Sequence, residues 1–65
     1  MSSYTRAEVQ HRANHVKRLG TLTQASTINE LELMAEGKDP DGIRSQFYPG
    51  KPDQFFKDVL AAIRD

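Results

Sequence analysis

The chain predicts an all-α fold, a small four-helix single domain with a helix-turn-helix-like core. Three observations carry this. Apolar residues recur at three- and four-residue spacings, and no stretch alternates apolar and polar with β-branched residues as a strand would. A Ser or Thr followed three residues later by Glu or Gln, the pattern of a reciprocal helix cap, occurs at Thr5–Glu8, Thr21–Gln24 and Thr27–Glu30. Glycine and proline punctuate the chain at Gly20, Gly37, Pro40 and the run Pro49-Gly50-Lys51-Pro52.

A short lead, residues 1–4, precedes the first helix, expected over 6–19. Thr5 caps it with Glu8, and Tyr4 and Val9 are placed to pack against each other across the cap. Its apolar stripe is narrow (Val9, Ala13, Val16, with Leu19 at the edge), which fits a peripheral helix. Lys17 and Arg18 lie in its last turn, where the helix dipole favours cations. The second helix is expected over 22–36. Ile28, Leu31 and Ala35 line one face, Leu33 lies well away from it, and Met34 lies beyond the other side. A helix that is apolar on more than one side is usually buried between neighbours, so this helix is expected at the centre of the fold.

Gly37 stands where a chain leaving a helix adopts a left-handed backbone. Asp39 and Pro40 then read as the cap and first position of a third helix over 40–48, with Ile43 and Phe47 pointing back at the second helix. Pro49 and Gly50 close that helix, and Pro52 opens a fourth over 52–64 with Asp53 in its first turn. Phe56, Val59, Leu60 and Ile63 form one tight stripe there, widened on one side by Phe55 and Ala62. The expected core is Val9, Val16, Ile28, Leu31, Met34, Ile43, Phe47, Phe56, Val59, Leu60 and Ile63. Because Phe55 lies off the tightest stripe, Phe55→Ala is expected to cost less stability than Phe56→Ala.

Composition narrows the function. With 65 residues, the chain is marginal as an independent fold, and with no cysteine it has neither disulfide nor thiolate chemistry. Burial by a partner or a second copy is therefore expected to supplement the core. Nine basic and nine acidic residues give zero net charge, which argues against a strongly electrostatic binder of nucleic acid or membrane. The distribution is uneven. Residues 1–20 carry Arg6, Arg12, Lys17 and Arg18 against Glu8, whereas residues 21–41 carry Glu30, Glu32, Glu36, Asp39 and Asp41 against Lys38. No apolar run has the length of a membrane span, and MSSYTRAEVQ lacks the apolar stretch of a signal peptide. A cytoplasmic protein is expected.

Catalytic and metal chemistry find little support. Glu8, His11 and His15 share a helical face, but the zinc-protease pattern needs Glu directly after the first His, and Arg12 stands there. The KDPDGI segment has the flavour of a calcium loop. With Gly42 as sixth position, however, the first and twelfth ligands fall on Gly37 and Tyr48, neither of which can serve. Asp39 and Asp41 read instead as carboxylates at a positive helix end. Nothing marks a base beside Ser45. The expectation is a non-enzymatic protein with no metal, no cofactor and no small-molecule substrate.

Leu22-Thr23, Ala35-Glu36-Gly37, Ile43 and Phe47 stand at places that resemble the core of LuxR-type helix-turn-helix DNA-binding domains. The resemblance covers roughly residues 22–63. It implies a helical DNA-binding domain whose helix from Pro52 enters the major groove, with Lys51, Gln54 and Lys57 near DNA. The favoured expectation is a small regulatory protein acting through a protein-binding surface, as inhibitor, adaptor or anti-activator, or through a homodimer. Its supports are net neutrality, the small core and aromatic residues left outside. Tyr48, Phe55 and Leu33 are the candidate partner-binding residues, since surface aromatics tend to anchor interfaces.

Overall fold

The computed structural model describes residues 3–65, so Met1 and Ser2 of the lead lie outside the described residues. Four α-helices follow in order: α1 (Arg6–Lys17), α2 (Thr21–Ala35), α3 (Ile43–Phe47) and α4 (Asp53–Arg64), with a 3-10 turn at Pro40–Gly42 before α3. The all-α expectation holds, and no strand occurs among the described residues. None of these helices is long and apolar enough to cross a membrane.

Helix α1 begins as its sequence requires. Thr5 Oγ1 accepts from the Glu8 amide at 3.2 Å, and the Glu8 carboxylate accepts from the Thr5 amide at 3.2 Å. The narrow stripe of Val9, Ala13 and Val16 is wholly buried. Tyr4 reaches across to α4, where its ring meets Phe55 edge-on at 5.2 Å. Helix α1 stops at Lys17, two residues short of the expected end. The carbonyls left open there are taken by Gln24 from the next helix, whose Nε2 donates to Val16 O at 3.1 Å and Lys17 O at 3.3 Å. Gln24 thus serves the end of α1 and not a cap of its own helix. The expected Thr21–Gln24 box does not form, and Gly20 is the N-cap with no side-chain bond.

Helix α2 starts early and closes on Gly37, whose φ is +94°. The Lys38 amide donates to Leu33 O at 3.1 Å and the Gly37 amide to Met34 O at 3.0 Å, the paired bonds that satisfy a helix end through a left-handed residue. Asp39 then caps α3, although it lies upstream of the 3-10 turn. Its Oδ1 accepts from the amides of Arg44 (2.8 Å) and Ser45 (3.2 Å), and its Oδ2 accepts from the Ser45 hydroxyl at 2.5 Å. The expected helix over 40–48 is in fact the 3-10 turn followed by five residues of α-helix. Asp41, at φ +51°, and Gly42, at φ +71°, interrupt the helical backbone between them.

The centre of the fold is α4, not α2. Helix α4 packs broadly on both α1 and α2, while those two touch each other far less. Helix α4 buries Phe55, Phe56, Val59, Leu60 and Ala62; α2 buries only Leu31, Met34 and Ala35, all towards its C-terminal end. Two core expectations are corrected, each for its own reason. Phe55 is 3% exposed, not a surface residue, because a helix covered on two flanks hides a face wider than one stripe. Phe47 is 64% exposed and outside the core. The chain leaves helical geometry at Tyr48 (φ −131°, ψ 48°), and that rotation turns Tyr48, not Phe47, onto α4. The Tyr48 ring meets Phe56 edge-on at 5.2 Å and Phe55 at 6.1 Å. Ile28, Ile43 and Ile63 pack against the core while remaining partly exposed.

Candidate functional site

Two arrangements meet where α3 runs into α4. The first is a clasp built on Arg44. Its guanidinium donates to Met34 O at the end of α2 (2.8 Å), to Asp53 Oδ1 at the start of α4 (2.7 Å) and to Lys51 O in the connection (3.0 Å). It also lies 5.0 Å over the ring of Phe56. A planar five-donor group is suited to bridging several acceptors at once. The turn at Tyr48–Lys51, closed by the Lys51 amide donating to Tyr48 O at 3.2 Å, presents the Lys51 carbonyl to it. Gly50, at φ +77° directly after Pro49, supplies the left-handed corner that this turn needs. A shallow cleft of about 280 Å³ lies beside the clasp, bordered by Gly37, Asp39, Ser45 and Pro49 among others.

The second arrangement is an aromatic cleft of about 250 Å³ between α1 and the α3–α4 connection. Phe47 and Tyr48 form one wall and Glu8, His11 and Arg12 of α1 the other, with Lys51 and Phe55 between them. Its charged groups are positioned by neighbours. Arg12 lies 5.3 Å over the Tyr48 ring and donates to His15 Nδ1 at 3.1 Å. Lys51 pairs with Glu8 at 3.0 Å and lies 5.8 Å from the Phe55 ring. The bond from Lys51, with help from the Thr5 amide, holds the Glu8 carboxyl below its ordinary pKa. Burial raises the Tyr48 phenol above its ordinary value. With Glu8 and Lys51 neutralising each other, the cleft keeps the charge of Arg12 on a mixed rim of His11 and the aromatic side chains.

The structure brings together two of the three residues expected to bind a partner. Tyr48 is half-buried in the cleft wall and Phe55 is buried at the cleft floor, whereas Leu33 stands apart, half-buried on α2. Exposed Phe47, assigned to the core by its spacing, is the apolar side chain the cleft presents. The signal that could have found it is Pro49, two residues beyond Phe47, which ends the helix at Phe47 and frees Tyr48 to turn inward. The residues expected near DNA are dispersed. Lys51 is tied to Glu8, Gln54 donates to Asp58 Oδ1 at 2.8 Å, and Lys57 is exposed on α4. Among the described residues no three His, Cys, Asp or Glu side chains come together as a metal site. No protein-family model, no curated protein and no solved structure matches this chain.

Proposed function

We propose that this domain is a non-enzymatic regulatory module that binds another protein through the aromatic cleft of Phe47 and Tyr48. The observation that carries the reading is Phe47, a large apolar side chain 64% exposed beside a cleft with an aromatic floor. Tyr48 and Arg12, beside it in the same cleft, are of the residue types enriched at energetic hot spots. The chemistry selects a segment that offers an aliphatic or aromatic side chain to the cleft and a carboxylate to Arg12. Duplex DNA, the ligand implied by the LuxR-type resemblance, is the competing reading. It draws on Lys57 and Gln54 along α4, where Asp53 and Asp58 counter the phosphate attraction that dominates such binding.

The test is selection of a displayed random-peptide library on the domain, with Phe47→Asp as counter-target. Enriched peptides that carry an apolar residue next to an acid, and that lose binding to Phe47→Asp, support the reading. Peptides indifferent to Phe47→Asp, or no enrichment, overturn it. In parallel, fluorescence anisotropy against random duplex DNA is expected to stay flat up to about 10⁻⁴ M at low salt. Binding at roughly 10⁻⁴–10⁻⁶ M that weakens steeply with salt would move the assignment to DNA.

A further inference from the structure

The outer face of α2 follows a pattern that the aromatic cleft does not use. At about 100° per residue, Leu22 lies half a circle from Leu31, the residue that anchors α2 in the core. Leu22 is 88% exposed, the most exposed large apolar side chain of the described residues. Ser26, Asn29 and Leu33 continue the same face, and Ser26 and Asn29 are also exposed. Their spacing of four, three and four residues is that of a coiled-coil seam. It is also palindromic, so a two-fold axis through its midpoint exchanges Leu22 with Leu33 and Ser26 with Asn29.

The charges share this symmetry. The first turn of α2 has no acidic residue and its N-cap makes no side-chain bond, while the last turn has no basic residue. The positive end of the helix dipole therefore lacks a compensating charge, whereas Arg44 already donates to Met34 O at the negative end. Exposed Lys17 and Arg18 stand just before the N-terminal end, and exposed Glu32 and Glu36, in solvent-exposed ion pairs with Arg64 and Lys38, at the C-terminal end. An antiparallel partner with the same sequence brings acid to the positive end and base to the negative end. A parallel partner sets like charges together at both ends.

We infer that a second copy of this chain covers α2, the two helices running antiparallel about a two-fold axis with Leu22 packed on the second copy's Leu33. Ser26 and Asn29, level with each other across the axis, supply a hydroxyl and an amide that pair at the centre. A self-complementary patch of this kind gives closed two-fold dimers and not filaments. The interface is one helix long, so it falls at the small end of specific interfaces and the association is weak. It lies on a different helix from the aromatic cleft and stands independently of the function proposed for that cleft.

Sedimentation equilibrium of the full chain from micromolar to submillimolar concentration is the first test. A monomer–dimer equilibrium is expected, abolished by Leu22→Glu, whose exposed site leaves the helical circular dichroism unchanged, and retained by Phe47→Asp. Monomer throughout, or a dimer that survives Leu22→Glu, overturns the proposal. Orientation is read by disulfide trapping, which is clean because the chain has no cysteine. A mixture of Leu22→Cys and Leu33→Cys chains is expected to cross-link with each other, while Leu22→Cys alone does not. Self-linking of Leu22→Cys at the same concentration overturns the antiparallel arrangement.

Discussion

At the scale of single residues, Arg44 joins more of the fold than any other side chain. It ties the end of α2, the α3–α4 connection and the start of α4 through three acceptors and covers Phe56. Arg44→Met leaves the Met34 and Lys51 carbonyls without that donor and is expected to cost about 1–3 kcal/mol in thermal or urea melts. Arg44→Lys keeps the charge but not the fork, and most of the loss is expected to remain. The two core phenylalanines now rank more closely than the stripe alone implied. Phe55 is 3% and Phe56 0% exposed, so each truncation to Ala is expected to cost roughly 3–5 kcal/mol. Phe56→Ala is expected to be the worse because it also uncovers Arg44. Tyr4 and Asp58 make stability respond to pH at both extremes. The Tyr4 hydroxyl donates to Asp58 Oδ2 at 2.6 Å, which raises the phenol's pKa and, with Gln54, lowers the carboxyl's. The carboxyl's contribution is complete above the ordinary Asp range and is lost as pH falls through the lowered value. The phenol's is complete below the ordinary Tyr value and is lost as pH rises through the raised one. Tyr4→Phe is expected to shrink the acid limb of a pH–melting profile only in part, since Gln54 still lowers Asp58 and the Glu8 and Asp39 carboxyls are lowered too. It should shrink the alkaline limb only in part, since burial raises Tyr48 too.

At the scale of elements, the backbone demands of two glycines differ, and substitution separates them. Gly37 holds φ +94°, and a Cβ there would touch only the Asp53 carboxylate at ordinary distance. The cost of Gly37→Ala is therefore conformational, about 1–2 kcal/mol by denaturant melts. Gly20 caps α2 with φ −65°, open space around it and no side-chain bond. Gly20→Ser supplies the missing acceptor and is expected to stabilise by a few tenths of a kcal/mol. The sequence announces such local features well. The Thr5–Glu8 box, the Gly37 exit, the Asp39 cap and the α4 stripe are all set by neighbours within a few positions. What it conceals is which helix the others surround. Helix α2 spreads its apolar residues around its circumference, which resembles a buried helix, yet only one side meets α4. Helix α4 concentrates its apolar residues, which resembles a one-sided helix, yet it is covered on two flanks. The cleft was half legible. Tyr48 stands out as an aromatic off the helical stripes, but the exchange between Phe47 and Tyr48 depends on one backbone rotation past the end of α3, and Arg44 carries no periodic signal at all.

At the scale of the whole molecule, stability and the candidate binding surface are unequally distributed. The accessible surface is 4304 Å², close to the roughly 4200 Å² expected of a compact monomer of 7.4 kDa. By the same scaling, folding hides only about 60% of the unfolded chain's surface, which leaves little stability to share. Buried side chains come from α1, α2 and α4; α3 and the 3-10 turn contribute none. These two elements are held by the Asp39 cap, by half-buried Ile43 and by the Arg44 clasp, and they carry Phe47 at their end. Regions with few buried contacts open by local fluctuation, while central elements open only with the whole fold. Native-state hydrogen exchange is therefore expected to show the amides of α4 around Phe56–Leu60 exchanging by global unfolding, and those of Arg44–Tyr48 exchanging much faster. Arg44→Met should speed exchange across Arg44–Tyr48 more than it lowers the protection of α4. Phe47→Ala should leave both nearly unchanged, because its side chain is mostly in water. If exchange in α3 matched that of α4, the cleft wall would be part of the cooperative core. Phe47 would then be presented by a rigid edge and not by an element able to adjust to what it binds.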